Sequence, residues 1–196
     1  MSTAFWISYA ALWFLFVAAA IAMLALYNHF GQMYMVSREG RSSHGPAEGA
    51  PLKATNAEDL HGLAVRLPEL GRSQVILFAT TDCGLCAEIK PGLNNFARAH
   101  VDVDVSLICG GAAEAVERWS RDINQPVRVV PDRGRKIATG YGISISPFLL
   151  ITNEDGIVLT RGIVNGEEGL EMALAVAGGV DLDELSALEV QHDSHA

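Results

Sequence analysis

Basic residues are scarce in this 196-residue chain: 14 Lys and Arg stand against 23 Asp and Glu. From Glu154 to the end there are ten acidic residues and one basic residue, Arg161. A nucleic-acid partner needs a basic face, so that class is set aside. The plain reading of the imbalance is a solvated surface with an acidic tail; a partner with a basic patch is the alternative. Cysteine is also scarce, with three in all. A structural zinc site takes about four Cys or His ligands at short spacing. Beyond Cys83 and Cys86 only Cys109 remains, with no His beside it. No metal and no cofactor is expected. His192 and His195 sit at helical spacing, but in a polar terminal segment where fraying is the default. No internal repeat is visible.

Charge is missing altogether from Phe5 to Tyr27, which is dominated by Ala, Leu, Phe, Ile and Val. At about 1.5 Å per residue this stretch is long enough for a hydrocarbon core of about 30 Å. Trp6, Tyr9 and Tyr27 lie near its ends, where aromatic rings favour the interface. A cleaved signal peptide would carry a positive start and a shorter apolar run. Met1 to Ala4 contains no Lys or Arg, so a single retained transmembrane helix is the favoured reading. Arg38 and Arg41 follow the span and nothing basic precedes it. Taken alone, that bias would leave the rest of the chain in the cytoplasm. The expected division is an anchor and juxtamembrane segment over 1–36 and a flexible Gly-, Ser-, Pro- and Ala-rich linker over 37–57. One α/β domain over 58–178 and an acidic tail over 179–196 follow.

The chemistry is concentrated in Cys83-Gly84-Leu85-Cys86. Val75 to Ala79 reads as a short buried strand, and Thr80 to Asp82 turn the chain. Leu85, Ile89, Leu93 and Phe96 then recur at helical spacing to about His100. Residues three apart share a helix face, close enough to close a small disulfide ring. Cys83 falls at the helix mouth, where free N–H groups favour a thiolate. It suits a nucleophile that attacks a disulfide, with Cys86 resolving the mixed disulfide. Half a metal site and two inert buried thiols are the bland alternatives. Cys109 ends the alternating stretch Val103 to Ile108 and reads as a buried structural thiol, with a third redox thiol as the minority view. Ala112 to Arg121 reads as a helix, and Val127 to Val130 as a strand ended by Pro131. Ser146-Pro147 opens a hairpin of Phe148–Ile151 and Ile157–Thr160 around Asn153-Glu154-Asp155-Gly156. A last helix starts near Asn165, with Glu168 three residues on, and ends at Gly178-Gly179.

These pieces resemble the thioredoxin fold: strand, Cys-x-x-Cys, helix, then a proline leading into a hairpin and a final helix. Pro91, eight residues after Cys83, stands where thioredoxins carry a kinking proline. Leu60 to Gly71 and the block Asp132 to Gly156, with Tyr141-Gly142-Ile143-Ser144-Ile145-Ser146-Pro147-Phe148, resemble the membrane-anchored TlpA-like group. With its long N-terminal apolar helix, the chain looks most like the MauD group of methylamine utilisation proteins, over about Phe5 to Ala177. The resemblance implies a central mixed sheet flanked by helices, with Cys83 and Cys86 as a catalytic disulfide pair. It implies that Pro147 is cis beside that pair, with Ser146 offering backbone groups to an extended protein substrate. It further implies a bacterial inner-membrane protein whose domain faces the periplasm and is served by a membrane or periplasmic redox partner. Its task would be to assist disulfide formation in a protein such as the methylamine dehydrogenase small subunit.

The chain departs from the thioredoxin pattern at Asp82, where Trp is usual, and at Leu77, where a buried acid assists proton transfer. Asp82 either caps the helix or disfavours the Cys83 thiolate. Three other classes stay open. A thiol peroxidase is suggested by Thr80-x-x-Cys83, although Ile76 stands where that motif has proline. A copper-binding assembly factor would want a wider cysteine spacing and a His near Pro147. An anchored scaffold would have merely structural cysteines.

Overall fold

The computed structural model describes residues 44–179 and, nearer the N-terminus, residues 5–7, 9, 11–21 and 23. The chain divides into two units, 1–40 and 41–196. In the first, residues 11–21 are helical and exposed. Among the described residues no helix is long and apolar enough to cross a membrane. The remainder of the expected span, Arg38, Arg41, and the tail from Val180 with His192 and His195 lie outside the described residues.

The second unit is built on β3 (Gln74–Thr80), preceded by β1 (Thr55–Glu58) and β2 (Ala64–Leu67). After β3 come α1 (Gly84–Glu88), α2 (Lys90–Ala99), β4 (Asp104–Gly110), α3 (Ala113–Trp119) and β5 (Arg128–Asp132). A short 3₁₀ turn over Arg133–Arg135 leads to α4 (Lys136–Gly140), β6 (Phe148–Thr152), β7 (Val158–Ile163) and α5 (Gly166–Ala177). The main sheet has the order β5-β4-β3-β6-β7, while β1 and β2 form a separate antiparallel pair. β3 runs parallel to β4, from Gln74 opposite Asp104 to Thr80 opposite Gly110. On its other side it runs antiparallel to β6, and β6 pairs antiparallel with β7.

A central strand covered on both faces must be apolar at nearly every position. β3 meets that demand with Val75, Ile76, Leu77, Phe78 and Ala79, all buried. Period-two alternation sends its side chains to two cores. Val75 and Leu77 pack with Leu93, Phe96, Leu149 and Leu170. Ile76 and Phe78 pack with Leu67, Ile108, Tyr141, Ile143 and Phe148. Each such fully buried side chain contributes about 1.5–3 kcal/mol. On the first face α2 and α5 meet closely at Gly92, where an added Cβ would lie 2.7 Å from Glu167 N.

Three details differ from the sequence expectation. The helix expected from Leu85 to His100 is interrupted at Ile89 (φ −77°, ψ −17°), because Pro91 has no N–H for the preceding turn. β5 continues through Pro131 to Asp132 instead of ending there; β5 is an edge strand, the place in a sheet where proline is tolerated. The stretch expected as a tether up to Ala57 is bonded to the domain from His44 onward. Arg161 Nη1 donates to His44 O at 3.0 Å, Gly49 N to Val158 O at 2.8 Å, and Leu52 N to Gly156 O at 2.8 Å. Leu52 is buried, and β1 begins at Thr55. Composition suggested a linker there; the unpaired edge of β7, remote in sequence, supplies the partners that order it.

Candidate active site

The buried strand β3 stops at Thr80, and Cys83 N donates to Thr80 O at 3.3 Å, closing the turn. Cys83 (φ −91°, ψ 114°) is then the N-cap of α1. Its Sγ accepts the Cys86 backbone N–H at 3.2 Å. The cap is therefore Cys83 itself, not Asp82, which is exposed one residue earlier. Cys83 and Cys86 are joined in a disulfide, with their Cα atoms 5.2 Å apart. The two sulfurs differ in access. Cys83 is half-buried, whereas Cys86 is 0% exposed, packed on the underside of α1 with Ile89 and Leu93.

The loop before β6 lies against this pair. The Ser146–Pro147 peptide is cis. The Ser146 carbonyl oxygen is 3.7 Å from Cys83 Sγ. Pro147 is buried and Phe148 opens β6 opposite Phe78 of β3. The four residues singled out from the sequence, Cys83, Cys86, Ser146 and Pro147, thus converge at one end of the central strands. This follows from the antiparallel register: the end of β3, from which Cys83 departs, meets the beginning of β6.

Cys109 belongs to the same core cluster as Cys86 and is 0% exposed. Burial pushes its thiol up from 9.0 to about 12; Lys90 opposes the rise and Asp82 reinforces it. It is a protonated, structural thiol at neutral pH. Leu77 is fully buried in β3, so the proton-accepting acid of thioredoxins has no counterpart at that position. Among the described residues no group of three or more His, Cys, Asp or Glu side chains is arranged to hold a metal ion.

Sequence reasoning passed over Arg135. Its Nη1 donates to Ser144 O at 3.1 Å, tying down the loop that carries Ser146 and Pro147. The signal was present in Arg133-Gly134-Arg135, where a glycine after a strand end marks a turn.

The model of the AhpC/TSA family matches residues 48–165, more than half of the chain. The chain belongs to the AhpC/TSA family. Within this family setting, it is similar to the methylamine utilization protein MauD of Paracoccus versutus, 24% identical over 169 residues, covering 83% of this chain and 84% of the relative. The MauD of Methylophilus methylotrophus is 27% identical over 168 residues, covering 82% and 78% respectively. This AhpC/TSA chain is therefore a MauD-like, thioredoxin-like protein. Among solved structures, a secreted Mycobacterium tuberculosis disulfide oxidoreductase superposes with a TM-score of 0.55 at 22% identity, covering 63% of this chain and 95% of the other. That likeness confirms the thioredoxin-like fold.

Proposed function

We propose that Cys83 and Cys86 make this chain a thiol–disulfide oxidoreductase of the MauD type. The observation that carries the reading is the asymmetry of the pair. One sulfur is reachable at the mouth of a helix and the other is sealed beneath it. A substrate thiolate can attack only at Cys83; the Cys83–Cys86 bond breaks and Cys86 leaves as a thiolate that takes up a proton. A second substrate thiolate then attacks the substrate sulfur of the mixed disulfide. Cys83 leaves with both electrons, and the substrate holds a new disulfide. Running backward, the same steps reduce a substrate disulfide. The Cys86 N–H that already points at Cys83 Sγ stabilises the departing Cys83 thiolate. The Ser146 carbonyl beside Cys83 offers an acceptor to an extended substrate segment.

The name of the MauD relatives supports a place in methylamine utilisation; on this reading the substrate is a protein such as the methylamine dehydrogenase small subunit, and the task is to assist its disulfide formation. The apolar stretch Phe5 to Tyr27 anchors the chain by a single pass in the bacterial inner membrane, with the α/β domain in the periplasm. A membrane or periplasmic redox partner recycles the pair. A thiol peroxidase is the second reading, favoured by Thr80-x-x-Cys83 and the AhpC/TSA match. Peroxide-dependent turnover with a thiol donor would identify it.

Trapping tests the exchange reading. Full-length Cys86→Ser should accumulate a mixed disulfide with a reduced–reoxidised cysteine protein through Cys83, and Cys83→Ser should accumulate none. Equal trapping by both variants, or by neither, overturns the assignment.

A further inference from the structure

The loop from Gly142 to Pro147 brings the Ser146 carbonyl to 3.7 Å from Cys83 Sγ. The loop is fixed to the core at its start: Ile143 is buried, and its N–H donates to Ala138 O at 2.8 Å. Further on, Ser144 is exposed, and Ile145 and Ser146 are half-buried. One hold on this stretch is the bond from Arg135 Nη1 to Ser144 O. The other comes from His44 and Gly45, at the far end of the domain's sequence.

His44 Nδ1 lies 2.9 Å from Ser144 Oγ, a contact across 100 residues of chain. The hydroxyl can donate to the ring or accept from it, so the contact serves either protonation state of the imidazole. Gly45 N donates to Gly142 O at 3.1 Å, where the loop begins. Gly45 is left-handed (φ 76°), and an added Cβ would lie 3.1 Å from Phe148 Cε1 and 3.4 Å from Ile143 Cγ1. Its bare backbone therefore rests on the two residues that bracket the loop, an approach that favours glycine. The pair is itself pinned. Arg161 Nη1 donates to His44 O at 3.0 Å and to Gly45 O at 2.6 Å. Arg161 stands on β7 opposite Leu150 of β6, the strand that Pro147 leads into. His44 and Gly45 are thus referenced to the sheet on one side and bonded to the loop on the other. Such support matters at a docking group, because a misplacement of about 1 Å can cost about a hundredfold in rate.

We propose that His44 and Gly45 are positioning residues of the exchange reaction: they set the Gly142–Pro147 loop so that the Ser146 carbonyl receives a backbone N–H of the substrate polypeptide. They act through the loop and not on the sulfurs. This inference rests on the exchange reading above.

The test uses reduced full-length protein and single-cysteine octapeptides presented as mixed disulfides with glutathione. Each single turnover oxidises Cys83 and Cys86 to their disulfide and releases the peptide thiol and glutathione. In a matched set, each amide bond next to the cysteine is replaced in turn by an ester, which removes one N–H donor. At one bond the wild type should need about fivefold more ester than amide for half-saturation, as expected for one hydrogen bond. His44→Ala should bring that ratio close to one. Ser144→Ala should do the same, and the double variant should lose no more than either single one. His44→Asn, whose Oδ1 takes the place of Nδ1, should restore the preference. Gly92→Ala, which strains α2 against α5 on the other face of the sheet, should keep it and so separates positioning from general destabilisation. A wild type indifferent to every ester overturns the proposal without needing a variant to fold. So does a ratio that survives both His44→Ala and Ser144→Ala, or one that Gly92→Ala abolishes equally. Failure of the wild type to turn over any of the peptides removes the exchange reading, and this proposal with it.

Discussion

Cys109 is the free cysteine beside the disulfide pair, and its reactivity measures how strictly the redox chemistry is confined to Cys83 and Cys86. Burial raises its thiol from 9.0 to about 12. Three units leave the folded protein with about a thousandfold less Cys109 thiolate at pH 8 than the unfolded chain, and only the thiolate is alkylated. Iodoacetamide labelling of the oxidised protein, followed by mass spectrometry, should therefore proceed about a thousandfold more slowly in native buffer than in guanidinium chloride. The native rate should keep rising by about tenfold per pH unit beyond pH 9, where the unfolded rate levels off. Linkage gives the same sign for stability. The folded state retains a proton that the unfolded state loses, so the contribution is full below pH 9 and declines as pH rises toward 12. Labelling of native Cys109 within tenfold of the unfolded rate would refute the argument and return this thiol to the list of redox candidates.

Three further outcomes follow from the packing. Gly92→Ala should lower stability by about 1–3 kcal/mol in urea unfolding, since its Cβ would press on Glu167 backbone atoms that cannot swing aside. Asp132→Ala should cost about 1–3 kcal/mol in the same assay, because the buried carboxylate accepts Ile137 N at 3.0 Å and Ala138 N at 2.9 Å at the start of α4. Tyr141→Phe should cost about 1 kcal/mol through loss of the hydroxyl's bond to Leu67 O at 3.1 Å. Burial also raises the Tyr141 phenol, so the wild type should lose stability as pH climbs past the ordinary tyrosine range, and Tyr141→Phe should lose less; urea midpoints at pH 8 and pH 11 compare the two.

The strand–cysteine–helix unit was legible because each part is local: five consecutive apolar residues, a turn, and a period of 3.6. The hairpin after Pro147 was legible for the same reason, through Asn153 and Gly156. Convergence of Ser146 on Cys83 came only from resemblance, because the contact spans 63 residues and depends on the register of β3 against β6. β1 and the ordered stretch from His44 to Leu52 were missed because their order depends on partners far along the chain, Val158 and Arg161 among them. Arg135 was missed because its bond to the Ser144 carbonyl depends on how two loops fold together, which no spacing reveals.

The most direct test of the central claim is the reduction potential of Cys83–Cys86 in the full-length protein, by equilibration with glutathione buffers and thiol trapping. The account predicts a reversible two-electron transition between about −270 and −120 mV that disappears in Cys83→Ser, the oxidising end indicating a disulfide donor and the reducing end a reductant. A pair that stays oxidised in buffers below about −300 mV would behave as a structural disulfide and contradict the account.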